Sequence, residues 1–135
     1  MNAANPGRVG VLLVGHAGLP EALLRAAEHI RGGPDPATRA VGIDSDADID
    51  AAQRRVAEAA AALDTGAGVL ILIDIMGATP YRIAHAATQN RERVALVTGA
   101  ALAMLVRIHN YPDLGLDELA DAALAAGRRS AVRVR

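Results

Sequence analysis

Apolar residues are distributed along the chain in two alternating patterns. RVGVLLVG (8–15), TRAVGI (38–43), GVLILID (68–74) and RVALVTG (93–99) read as buried strands, three of them nearly unbroken runs of Val, Leu and Ile. Such runs suit a parallel sheet covered on both faces, because a sheet with one wet face alternates apolar and polar positions instead. Between the runs the period becomes helical. Residues 19–31 set Leu19, Leu23, Ala26, Ala27 and Ile30 along one side, and residues 48–63 do the same with Ile49, Ala52, Val56, Ala59, Ala60 and Leu63.

Three further helices complete the pattern. Thr79 and Pro80 read as N-cap and first helical residue of a segment through YRIAHAATQ. A fourth helix spans about 101–109 and stops near Asn110 and Pro112. LDELADAALAAG gives a fifth, with Asp117 and Glu118 at its positive end and Gly127 as its stop. The tail SAVRVR alternates as a short strand would. The order predicts an α/β protein: three layers, right-handed crossovers and a doubly wound, mainly parallel sheet. GGPDPATR (32–39) reads as an ordinary surface loop, and no linker or repeat divides residues 1–135, so a single domain is expected.

Composition removes whole classes of chemistry. The chain has 135 residues and no cysteine, which excludes thiol nucleophiles, disulfides and thiolate metal sites and fits a reducing compartment. Every basic residue is arginine, so neither a Schiff-base lysine nor a phosphate-loop lysine exists. A net charge of −1 gives no general attraction to nucleic acid or anionic membrane, and with Tyr81 and Tyr111 as the only aromatics there is no platform for stacking bases. MNAANPGR lacks an apolar leader, and the longest apolar run falls far below the roughly 20 residues of a membrane helix. These features predict a cytoplasmic protein without membrane insertion. The apolar character must come from aliphatic side chains.

The chemistry-bearing residues gather where strands end. In an open parallel sheet the loops after the strands share one edge, and ligands bind there where the strand order reverses. His16 follows the first strand and Asp74 ends the third, so a sheet with these strands side by side brings imidazole and carboxylate together. The segment DIMGATPYR then passes from strand to helix, and the backbone N–H groups of Gly77, Ala78 and Thr79, with the Thr79 hydroxyl, offer donors to an anion. A carboxylate that accepts from one ring N–H fixes the tautomer and frees the other nitrogen as a nucleophile. Taken singly, a histidine placed like His16 is more often a loop residue than a catalyst, Asp74 reads as a turn cap and Gly77–Pro80 as loop-to-helix punctuation. His29, His85 and His109 read as surface residues or helix-end charges, and no pair has metal-ligand spacing. Ser45 and Ser130 lack a nucleophile-elbow context. Arg128, Arg129, Arg133 and Arg135 read as a solvated end.

VLLVGHAGLPEALLRAAEHIRG, GVLILIDIMGATPYRIA and VTGAALAMLV together resemble the mannose-type enzyme IIA of the bacterial phosphoenolpyruvate-dependent sugar phosphotransferase system. The most specific parts are the histidine after the first strand and the Asp74-x-x-Gly77-x-Thr79-Pro80 pattern. The resemblance implies that His16 takes a phosphoryl group from the phosphocarrier HPr and passes it to a IIB component on a separate chain, with Asp74 paired to its ring and no cofactor. It also implies a homodimer whose last strand, here SAVRVR, crosses antiparallel onto the partner's sheet. Met76 and Ala78 stand where the family often has an aromatic residue and a glycine, and Ala101 and Ala103 where it has Asn and Pro. Two neighbouring readings are a regulatory phosphoprotein whose His16 state is read by a partner, and the phosphotransfer subunit of dihydroxyacetone kinase. A plain ligand-binding α/β domain is the third.

Overall fold

A computed structural model describes residues 7–135. The leader-free reading of the first residues therefore lies outside the described part, up to residue 6. The elements run β1 (Gly10–His16), α1 (Leu19–Arg31), β2 (Thr38–Ile43), α2 (Ile49–Leu63), β3 (Val69–Ile73), α3 (Thr79–Ala87), β4 (Val94–Thr98), α4 (Leu102–His109) and α5 (Leu116–Ser130). The sheet is four-stranded in the order β2-β1-β3-β4, and every pairing is parallel.

Strand alternation divides the core into two layers. Leu12, Val14, Ile71 and Ile73 face one way and pack on Val56, Ala60 and Leu63 of α2 and on Ile83 and Ala84 of α3. Val11, Leu13, Leu70 and Leu72 face the other way, onto Ala27 of α1, Met104, Leu105 and Ile108 of α4, and Leu119 and Ala123 of α5. Leu70, Ile71, Leu72 and Ile73 have no exposed surface. Burying a side chain of that size stabilises the fold by roughly 1.5–3 kcal/mol. β3 is thus the axis of the sheet, and β1 beside it carries His16 to its end.

Several expectations change at element boundaries. The α1 stripe is shorter than its periodicity suggests, since Leu19 and Ile30 are exposed and the helix packs through Pro20, Leu23, Leu24 and Ala27. Ile49 at the start of α2 is likewise exposed. At α3, Ala78 occupies the N-cap and Thr79 and Pro80 begin the helix, one residue earlier than expected. Gly127 does not stop α5, which continues through it to Ser130. The end of the Met104 side chain of α4 lies against Gly127, 2.3 Å from where a Cβ would stand. Residues 131–135 form no strand in the isolated chain and run exposed beyond α5.

The loop at 32–39 is not a plain surface loop. Asp35 is buried, and both of its oxygens accept from the guanidinium of Arg8, the Nη1 bond measuring 2.9 Å. The same carboxylate accepts from the Ala37 N–H at 2.9 Å and from the Thr38 hydroxyl at 3.3 Å. His109, expected as a surface or helix-end charge, is turned inward with 6% of its side chain exposed, its Nε2 lying 3.2 Å from Thr38 Oγ1 and 3.5 Å from Asp35. The Thr38 hydroxyl has one proton, which goes to Asp35, so the neutral ring donates from Nε2.

Candidate active site

β1 and β3 are neighbours in register, with Val14 opposite Ile73, so His16, the last residue of β1 rather than the one after it, and Asp74, just after β3, emerge side by side at the sheet's reversal point. His16 Nδ1 lies 2.6 Å from Asp74 Oδ2. The same oxygen accepts the His16 main-chain N–H at 2.8 Å, and Asp74 Oδ1 accepts the Ile75 N–H at 2.8 Å. The ring is 57% exposed while the carboxylate beneath it is 8% exposed. One partner is seated and the other is presented.

The seat exists because residue 15 has no side chain. A Cβ on Gly15 would lie 2.8 Å from both Cγ and Oδ2 of Asp74, a contact that real side chains do not make. The carboxylate therefore lies against bare β1 backbone, close enough to bond the main chain and ring of the next residue together. Burial disfavours ionisation of Asp74, but the hydrogen bonds from the His16 N–H, the His16 ring and the Ile75 N–H outweigh it and hold the carboxyl below its usual range. Asp74 is thus an anion, its Nδ1 bond fixes the ring, and Nε2 is the nitrogen directed away from it.

A cavity of about 190 Å³ opens beside the ring, lined by His16, Ile43, Asp44, Ser45, Thr79 and Pro80. Thr79, the first residue of α3, thereby joins the histidine, and the N–H groups of that first turn have no acceptor within the helix. Pro80 contributes no donor. Gly77, at φ 84°, and Ala78 belong to the turn that brings α3 here, but neither lines the cavity. Asp44 and Ser45, from the loop after β2, are wall residues that strand and helix periodicity alone did not single out. His29 and His85 are exposed on α1 and α3. Among the described residues no group of three acidic or histidine side chains gathers to hold a metal ion.

The fold and this edge put the chain among three-layer parallel α/β domains that present a carboxylate-held histidine at the sheet's switch point. Within that class it belongs to the mannose-type IIA family of the sugar phosphotransferase system, whose model, described as PTS system fructose IIA component (EIIA-man), matches residues 10–124. It is a phosphotransfer component of that system. Solved structures share the fold. The PTS IIA protein associated with the fucose utilization operon of Streptococcus pneumoniae superposes with a TM-score of 0.80 at 24% identity, covering 94% of this chain and 93% of the other. The mannose/sorbose-specific IIA subunit of Enterococcus faecalis gives 0.83 at 22% identity, covering 95% and 96%. Phosphotransferase system component EIIA from Streptococcus agalactiae gives 0.82 at 17%, covering 93% and 96%. No curated protein sequence matched the chain. No helix among the described residues is long and apolar enough to cross a membrane.

Proposed function

We propose that His16 is the phosphoryl carrier: Nε2 accepts the group from phospho-HPr and yields it to a IIB component on a separate chain. The observation that carries this reading is the 2.6 Å bond between Nδ1 of an exposed ring and a seated carboxylate. As Nε2 attacks phosphorus, a new N–P bond forms while the donor's N–P bond breaks and its electron pair returns to the donor's ring. The attacking nitrogen has no proton to lose, so no separate base takes part. Positive charge grows on the His16 ring, and the Asp74 anion stabilises it through the Nδ1 proton, which stays in place. The Thr79 hydroxyl and the first-turn N–H groups of α3, with those of Gly77 and Ala78 behind them, are the donors for the phosphoryl oxygens.

The same reading makes residues 1–135 one phosphocarrier domain working in the cytoplasm without a cofactor. It also assigns a role to the tail, where Val132 and Val134 are 73% and 86% exposed and β4 is a sheet edge with no further strand beside it among the described residues. In a homodimer, SAVRVR of each chain pairs antiparallel with the partner's sheet. Deletion of residues 131–135 should then convert a dimer to a monomer by light scattering.

The deciding experiment is intact-mass measurement after incubation with phosphoenolpyruvate, enzyme I and HPr. One acid-labile phosphoryl group is expected on the wild type and none on His16→Ala. An unmodified wild type, or a modified His16→Ala, overturns the assignment. Chasing the label with IIB and membranes tests onward transfer. Label that stays on His16 overturns the relay and leaves a regulatory phosphoprotein.

A further inference from the structure

The turn that carries His16 is held from its other side as well, by a carboxylate that the phosphoryl-transfer reading does not use. α1 starts at Gly18, whose φ of 95° no ordinary residue adopts readily and which has no side chain with which to cap the helix. Glu21, three residues on, reaches back instead and accepts the Gly18 N–H at 3.1 Å. That carboxylate rests on β2. A Cβ at Gly42 would lie 2.5 Å from Glu21 Oε2, 2.8 Å from Oε1 and 3.0 Å from the Ala17 Cα. Gly42 stands opposite Gly15 in the β1–β2 register, and the Ala17 N–H donates to Ile43 O at 3.0 Å.

Two adjacent strands thus carry paired glycines, and each glycine admits one carboxylate: Asp74 over Gly15 bonding His16, and Glu21 over Gly42 bonding Gly18. The nucleophile and the two residues after it are fastened from both flanks. We propose that Glu21 is a second positioning residue for His16, acting through the Gly18 N–H to hold the turn at which the ring meets Asp74, with Gly42 as its required seat. The inference rests on His16 being the phosphoryl acceptor. Glu21 touches neither ring nor phosphorus; its effect is geometric, and misplacing a reacting group by about 1 Å costs as much as 10²-fold in rate.

The test compares wild type, Glu21→Ala, Glu21→Gln, Gly42→Ala and the double variant Glu21→Ala/Gly42→Ala. Two readouts are used below the melting temperature: single-turnover phosphorylation by saturating phospho-HPr, and ¹⁵N NMR of the His16 ring in the unphosphorylated protein. Glu21→Ala and Gly42→Ala are each expected to slow transfer about tenfold and to move the Nδ1 resonance as its bond to Asp74 loosens. Glu21→Gln keeps an oxygen for the Gly18 N–H and should restore both. In the double variant the added loss from Gly42→Ala should shrink, because the carboxylate it displaces is already gone. Wild-type rates and spectra in Glu21→Ala, even with a lowered melting temperature, reduce Glu21 to an ordinary helix cap and overturn the inference while leaving His16 as acceptor. A wild type that takes up no phosphate defeats the acceptor assignment instead, and the inference with it.

Discussion

The molecule pairs a histidine with an aspartate at each end of its sheet, and the two pairs behave oppositely. At the end where the strands start, Asp35 already has a guanidinium of its own, and His109 beside it is enclosed. At the end where they finish, Asp74 is bonded by two main-chain N–H groups and the imidazole, with no arginine among its described partners. An aspartate neutralised by arginine asks nothing further of its histidine, which stays an uncharged donor in the packing. An aspartate without a counter-charge keeps its full field for whatever charge develops on the ring. The chemical groups are the same; the third partner and the exposure decide which pair can react.

The difference is most sharply broken at the buried pair. Asp35→Ala strands Arg8 and removes the acceptor of Thr38 and Ala37, and should cost about 3–5 kcal/mol in urea denaturation, with phosphoryl uptake by the remaining folded protein unchanged. Asp74→Asn should do the reverse. The amide keeps one acceptor oxygen, turns an NH2 group toward the remaining N–H partner and carries no charge, so phosphorylation should slow roughly 10²-fold, with a smaller stability cost of about 1–3 kcal/mol. If transfer in Asp74→Asn proceeds at the wild-type rate, the carboxylate has no part in the chemistry.

Gly15→Ala probes the His16–Asp74 pair without altering either of its side chains. Its methyl would occupy the carboxylate's place, so transfer should fall about tenfold, with a stability cost of roughly 1–3 kcal/mol from overpacking. A smaller effect comes from pH. Burial holds the His109 pKa below its ordinary 6.5; the Asp35 charge pulls it the other way, and the nearby Arg31 and Arg8 charges add to the lowering. The unfolded chain therefore takes up a proton that the folded one refuses. Stability is full above about pH 6.5 and is lost as pH falls toward the folded value. The denaturation midpoint should drop between pH 7.5 and 5.5, and His109→Gln, which still donates to Thr38, should flatten that drop. An identical slope in the variant would place the pH dependence elsewhere.

The upper pair was legible in the sequence and the lower pair was not. β1 and β3 announce themselves as aliphatic runs, and a sheet that sets them side by side, as this one does, joins His16 and Asp74 across a long stretch of chain. His109 closes α4, where a lone histidine reads as a helix-end charge, and its partner sits in a Gly- and Pro-rich loop that carries no burial signal. Gly127 misled for a related reason: a glycine near a helix end suggests a stop, but here α5 runs on through it with the Met104 side chain of α4 packed against it. The Glu21 contact had local signals, a glutamate three residues after a helix-starting glycine and a glycine inside a strand. Nothing in either pattern says that the two meet; only the register of β1 against β2 does.

The bare backbone at position 15 also has a bearing on descent. A lineage that keeps this domain for some duty other than group transfer is released from the demand for an empty volume beneath its histidine, and can acquire alanine or serine there while β1 still pairs and the core still fills. A side chain just ahead of the histidine would then mark a slowed carrier, even where histidine and aspartate both persist.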